Sequence, residues 1–89
     1  MLRRFWVKFE MLEIPTPINL GCGVTAYDID DAKALIVADL FNGKEVPKII
    51  EIVEDVDVRK LEKNHVRPNM GNVAVRGIWY PLGYEHFNG

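Results

Sequence analysis

Alternating apolar and charged positions open the chain. Phe5, Val7 and Phe9 fall on one side of residues 3–10, whereas charged residues and Trp6 fall on the other. Period-two alternation of strand-favouring residues is typical of a half-buried β-strand. Because Trp6 lies on the otherwise polar side, we expect that side to be partly covered as well.

Two glycines flank the single cysteine. Gly21, Cys22 and Gly23 follow the proline-containing loop at 15–17 and lead into a second short strand at 24–27. Because glycine has no side chain, a glycine on each side of the cysteine predicts a bulge or the close approach of another group.

The clearest element is a helix from Asp28 to Phe41. Asp28 is a good N-cap, and further acids in the first turn suit the helix dipole. Apolar residues recur at helical spacing and form one stripe, which consists of Ala32, Leu35, Ile36 and Leu40. Gly43 predicts the C-terminal end.

Residues 48–58 fit two patterns. One is the alternation of a strand, with Ile50, Ile52, Val56 and Val58. The other is a helical stripe, with Val46, Ile49, Ile50 and Val53. The density of isoleucine and valine favours the strand. A capped helical turn is expected at 57–61 and a loop at 65–72.

Residues 73–81 are predicted to form the last strand. Since bulky apolar residues occupy both of its faces, we expect it to be central in the sheet. The order strand, strand, helix, strand, strand then predicts a single α+β domain over residues 1–89. The expected fold is a two-layer sandwich in which one main helix covers a mostly antiparallel four-stranded sheet (β-β-α-β-β).

One helix cannot cover both faces of a sheet. The opposite face, with some of Trp6, Trp79 and Tyr80, is therefore expected to be free or covered by a partner. Aromatic residues of this kind either complete a small core or anchor an interface.

Composition and charge exclude several classes of function. The net charge of −2 argues against nucleic-acid binding, and the longest apolar runs fall short of the roughly 18 residues of a membrane span. A single cysteine forms no internal disulfide, which fits the cytosol. We expect no cofactor. No metal site is expected either, because the histidine and cysteine spacing does not fit zinc and Lys33 stands where a calcium loop requires glycine.

The charge is unevenly distributed along the chain. Residues 28–57 hold nine acids against three lysines, a net of −6, between segments of +1 and +3. This acidic middle predicts a surface for a basic protein partner, with Trp79 or Tyr80 as an apolar anchor. Its proposed acidic residues are Glu51, Glu54, Asp55 and Asp57. The alternative is that these acids are merely solvated.

The loop at 65–71 is a second candidate binding element. His65, Arg67 and Asn69 place an imidazole, a guanidinium and an amide within five residues. Such a set can bind an anion or a partner's carboxylate. A structural role is the alternative, in which Asn69 caps backbone groups and Arg67 pairs with Glu54 or Asp55.

Two further functions remain open. Cys22 as a nucleophile with His65 as its base would give a small acyl- or thiol-transfer enzyme. A homodimer that buries the uncovered sheet face would give a structural protein. The leading hypothesis is a non-catalytic protein-binding module.

Three stretches, "IPTPINLGCGVTAYDIDDAKALI", "NHVRPNMG" and "RGIWYPLG", resemble a family of small uncharacterised bacterial proteins. The resemblance covers most of the chain but carries no catalytic or binding residue with it. It implies a chain of the kind often encoded near toxin genes, some of which act as immunity proteins that block a toxin.

Overall fold

A four-stranded antiparallel sheet and one helix form the described part of the protein, which comprises residues 1–11, 13 and 16–82 of a computed structural model. The strands are β1 (Arg3–Phe9), β2 (Cys22–Ala26), β3 (Ile49–Glu54) and β4 (Gly77–Tyr80). Their order across the sheet is β3-β1-β2-β4. The predicted α+β two-layer fold is confirmed.

The helix lies where its capping residues predict it. Helix α1 (Ile29–Leu35) begins after Asp28, whose side chain accepts a hydrogen bond of 2.8 Å from the backbone N–H of Asp31. A π-helical turn (Ile36–Leu40) continues it. Gly43 follows with a φ of +75°, a left-handed conformation that ends the helix at little cost for glycine.

The helix and one face of the sheet enclose the larger apolar cluster. We call this face the helix side. The cluster's members from the sheet and the turn before β2 are Phe5, Val7, Phe9, Ile18, Cys22, Val24 and Ala26. Its members from the helical region are Ala32, Leu35, Ile36, Leu40 and Phe41. The odd-numbered residues of β1 therefore point into this core, as the alternation predicts.

The ambiguous region forms a strand. Strand β3 pairs antiparallel with β1, and Ile49 and Ile52 pack against the helix-side cluster. The strand is followed by Asp55, which has a φ of +53°. The expected capped turn follows as a 3-10 turn (Val58–Lys60), in which the Asp57 carboxylate accepts from the backbone N–H of Arg59.

Strand β4 is shorter than predicted and lies at an edge of the sheet. The prediction of a central strand is wrong because a bulge, rather than two neighbouring strands, explains its two apolar faces. Gly23 pairs with Tyr80 and Val24 with Ile78, which leaves Trp79 as the extra residue. Ile78 packs on the helix side, while Trp79 and Tyr80 both belong to a cluster on the opposite face, here called the reverse side.

The protein's own chain covers much of the reverse side. Residues 56–73, here called the covering segment, contribute the buried Val66 to the reverse-side cluster. The segment's partly buried members of this cluster are Val56, Val58, Leu61, Met70 and Val73. The expectation that this face stays free or needs a partner is therefore wrong at the aromatic residues, whereas the expected cover over Trp6 is confirmed.

The glycines beside Cys22 allow this aromatic packing. A Cβ on Gly21 would lie 2.6 Å from the ring of Trp6, and one on Gly23 would lie 2.3 Å from the ring of Trp79. Both distances are shorter than any stable contact. The predicted close approach at this Gly-Cys-Gly sequence is confirmed at both glycines, together with the bulge beside Gly23.

Candidate functional site

A groove of about 510 Å³ lies between the outer part of the reverse side and the start of the covering segment. Its apolar lining consists of Trp6, Leu20, Val53, Val56, Leu61 and Val66. Its charged lining consists of Lys8, Glu51, Asp55, Asp57, Lys60 and Glu62. Four carboxylates against two ammonium groups make the lining acidic. This groove is the candidate binding site.

Strand register places the two sheet walls of the groove. Val53 lies opposite Trp6 and Glu51 lies opposite Lys8, so all four side chains project from the reverse side. Leu20 ends the 3-10 turn that precedes β2. Leu20 and Val53 are 41% and 38% exposed, so the groove presents apolar surface to solvent.

All four carboxylates of the predicted acidic patch have cationic partners. Lys8 lies 3.5 Å from Glu51, and Arg3 lies 3.5 Å from Glu54. Arg3 also donates two hydrogen bonds to Asp55, of 3.1 and 2.7 Å. Arg59 donates to Asp57 at 3.1 Å. The net charge of −6 in residues 28–57 is therefore partly neutralised in the folded protein, because β1 places Arg3 and Lys8 beside the acids of β3.

These partners lower the pKa of two of the carboxyl groups. The hydrogen bonds from the Arg3 guanidinium hold the pKa of Asp55 below its usual value, and those from Arg59 do the same for Asp57. The pKa of Glu62 is also lowered, chiefly by the backbone N–H of Asn64. These three groove carboxylates are therefore ionised at neutral pH.

The predicted acids do not share one surface. Glu51, Asp55 and Asp57 line the groove, whereas Glu54 lies opposite Phe5 in the register and so points to the helix side. Proximity in sequence does not reveal this division, because adjacent strand residues face opposite sides.

The prediction that Trp79 or Tyr80 anchors a partner protein is wrong, because both side chains are buried within the protein itself. Each is 1% exposed, because the bulge in β4 turns both under the covering segment. Leu20 and Val53 are the exposed apolar residues of the groove instead, and neither was predicted from the sequence in this role. For Val53 the alternation along β3 is a usable signal, whereas nothing in the local pattern singles out Leu20.

The residues of the 65–71 loop make contacts within their own segment. The Asn69 amide donates to the backbone oxygen of His65 at 2.6 Å, so the alternative of backbone capping is confirmed. The His65 Nδ1 lies 3.1 Å from a Glu62 carboxylate oxygen. Arg67 is exposed, and the carboxylates of Glu54 and Asp55 pair with Arg3 rather than with it.

Cys22 and His65 do not form a catalytic pair. Cys22 is fully buried in the helix-side cluster, and burial raises the pKa of its thiol. His65 is exposed in the covering segment, which packs on the reverse side. The Cys22 thiol donates a long hydrogen bond of 3.9 Å to the Gly23 carbonyl. A nucleophilic cysteine requires access and a lowered pKa, and Cys22 has neither.

Comparison with protein-family models, curated proteins and solved structures finds no match to this chain. Across the part of the chain that the structure describes, every helix is too short or too polar to cross a membrane. The same residues bring together no group of three histidine, cysteine or acidic side chains that could hold a metal ion.

Proposed function

We propose that the protein is a non-catalytic binding module whose groove holds a basic segment of a partner protein. One observation carries the proposal: exposed apolar side chains and ionised carboxylates line the same groove. Apolar surface supplies affinity on burial, and charge selects a basic partner and speeds its approach.

The existing ion pairs leave the carboxylates of the groove available to a partner's cations. In the pairs of Lys8 with Glu51 and of Arg59 with Asp57, each of the four side chains is at least one third exposed. Exposed pairs of this kind contribute only about 0–1 kcal/mol each. A partner's lysine or arginine therefore replaces the internal cation at little cost.

Occlusion is the mechanism that follows. A basic segment held in the groove is unavailable for its own function, so binding would block a partner whose active site is basic. A bacterial toxin is the example proposed here, with this chain acting in the cytosol as its immunity protein.

Affinity capture with a groove variant tests the proposal. We expect the wild-type chain to retain a protein from the native host that the double variant Glu51→Lys, Val53→Lys fails to retain. Both positions line the groove and are exposed, so the variant is expected to fold. The captured protein should also associate more slowly as salt is raised, since screening weakens steering.

The matched control is Val37→Lys, Asp39→Lys, on the exposed surface of the helical region. It makes the same change in charge away from the groove and should retain the partner. Equal retention by both double variants, with both folded by circular dichroism, would contradict the proposal.

A further inference from the structure

The outer edge of β3 is a second feature beside the groove. Strand β3 is the first strand in the sheet order, and within residues 1–11, 13 and 16–82 it pairs only with β1. It is the most exposed strand, with Ile50 60% and Val53 38% exposed. Edge strands present unpaired backbone groups to solvent and can accept a further strand.

The register identifies which backbone groups face outward. The N–H of Glu10 donates to the oxygen of Lys48, and the oxygen of Arg4 accepts from Val56. Even-numbered residues of β1 therefore direct their backbone groups toward β3, where their partners include Glu51 and Val53. Because direction alternates along a strand, Ile52 and Glu54 direct their N–H and C=O groups away from the sheet.

The charges of β3 determine what can pair there. Glu51 and Glu54 project on the two faces of the strand, and Asp55 follows it. A second copy of the chain would add the same three acids close to these and no complementary cation from its own β3, and like charges on neighbouring strands are destabilising. An extended segment rich in lysine or arginine has the complementary charge on both faces.

We propose that β3 accepts an extended basic segment of a partner as an added fifth strand. This inference rests on the proposed function and specifies how the partner is held. Side chains of the added strand on the reverse side would lie next to Glu51 and Val53, which also line the groove. Backbone pairing with Ile52 and Glu54 would supply affinity that does not depend on the partner's sequence.

A synthetic peptide tests strand addition directly. The probe is an acetylated and amidated heptapeptide of lysine and valine that carries lysines on both faces of the strand (Lys-Lys-Val-Lys-Lys-Val-Lys). An N-methylated version of the same sequence is its matched control. We expect the unmodified peptide to bind and to slow hydrogen exchange at the amides of Ile52 and Glu54. The N-methylated peptide keeps the charge but cannot pair along its backbone, so it should give neither effect.

A comparison of Glu54→Pro with Glu54→Gln separates the contribution of the backbone N–H to peptide binding from that of the carboxylate charge. Proline removes the outward N–H at an edge position that makes no ladder bond to β1, whereas glutamine keeps the N–H. Both lose the carboxylate that Arg3 contacts. We expect Glu54→Pro to bind the peptide about fivefold more weakly than Glu54→Gln, the factor expected for one backbone hydrogen bond.

The possible outcomes distinguish the two proposals. Peptide binding that Glu51→Lys, Val53→Lys abolishes, without protection of the Ile52 and Glu54 amides, would leave the groove as the site and overturn strand addition. Equal binding of the N-methylated peptide would also overturn it. Concentration-dependent dimerisation in sedimentation, suppressed by Glu54→Pro but not by Glu54→Gln, would identify a second copy as the occupant and overturn the basic partner.

Discussion

Two aromatic rings in this protein lie directly over backbone that has no side chain. Trp6 packs over Gly21 and Trp79 packs over Gly23, and the two tryptophan rings are 6.0 Å apart. The flat rings can approach the backbone only because each glycine lacks a Cβ. The identity of these two small residues therefore sets the position of the largest residues in the reverse-side cluster.

Substitution of Gly23 by alanine should destabilise the protein by about 1–3 kcal/mol, the usual cost of overpacking a core. Its new Cβ would lie 2.3 Å from the Trp79 ring, which is buried and has the ring of Trp6 beside it. Gly71→Ala is the control, because its Cβ would lie 3.4 Å from a flexible leucine and 3.7 Å from the Trp79 carbonyl oxygen. Urea unfolding, followed by tryptophan fluorescence, measures the stability of both variants. Equal unfolding midpoints for Gly23→Ala and Gly71→Ala would show that the contact with Trp79 does not restrict residue 23.

At the scale of elements, one ion pair joins the start of α1 to the segment before β4. Arg76 donates to both carboxylate oxygens of Asp31, at 3.0 and 2.5 Å. The same carboxylate accepts from the backbone N–H of Tyr27, and the Arg76 guanidinium lies 5.8 Å from the Tyr27 ring centre. These contacts link the segment before β4 to the junction between β2 and α1, which lies 45 residues earlier in the sequence.

The stability that this pair provides should be lost in acid. The hydrogen bond from Arg76, followed by that from Tyr27, lowers the pKa of Asp31 from 3.8 to about 2. Because the folded pKa lies below the unfolded one, the contribution is complete above about pH 4. It disappears as the pH falls toward 2. Asp31→Asn should therefore melt below the wild type at pH 6, and the two melting temperatures should converge near pH 2.

Asp30→Asn is the control for the acid prediction. Asp30 lies in the same helical turn and is exposed, so its removal tests the effect of the helix dipole without the bond to Arg76. The Asp31 variant should lose more stability at pH 6 than the Asp30 variant. A difference between wild type and Asp31→Asn that stays constant from pH 6 to pH 2 would show that the ion pair does not stabilise the fold.

Elements with one strong local signal could be predicted from the sequence, and their placement in the sheet could not. The alternation around Phe5 and the cap at Asp28 define β1 and the helix without reference to the rest of the chain. The edge position of β4 depends on a bulge opposite Gly23. The groove escaped prediction because its wall is built from apolar residues with no regular spacing, such as Val56, Leu61 and Val66.

On the scale of the whole molecule, the residues that the structure describes form two apolar clusters that share one sheet. The helix-side cluster holds Cys22 at 0% exposure, and the reverse-side cluster holds both tryptophans. The two clusters therefore carry separate natural reporters, a thiol on one face and indole fluorescence on the other. Both reporters can be followed in the unmodified chain.

Labelling of Cys22 should follow unfolding of the whole molecule. Its thiol is inaccessible, and burial raises its pKa, so a thiol reagent should react slowly in buffer. In urea the labelled fraction should rise together with the change in tryptophan fluorescence, since both clusters depend on the same strands. Rapid labelling of the folded protein, at a rate typical of an activated thiolate, would instead support the alternative hypothesis of a cysteine-dependent enzyme.

The bulge in β4 has a mechanical consequence. Within four residues the strand sends Ile78 to one layer and Trp79 and Tyr80 to the other. The Trp6 ring touches the groove and lies 5.4 Å from that of Tyr80, centre to centre. A partner that displaced Trp6 would therefore disturb its ring contact with Tyr80, which belongs to the same short strand as Ile78 in the helix-side cluster.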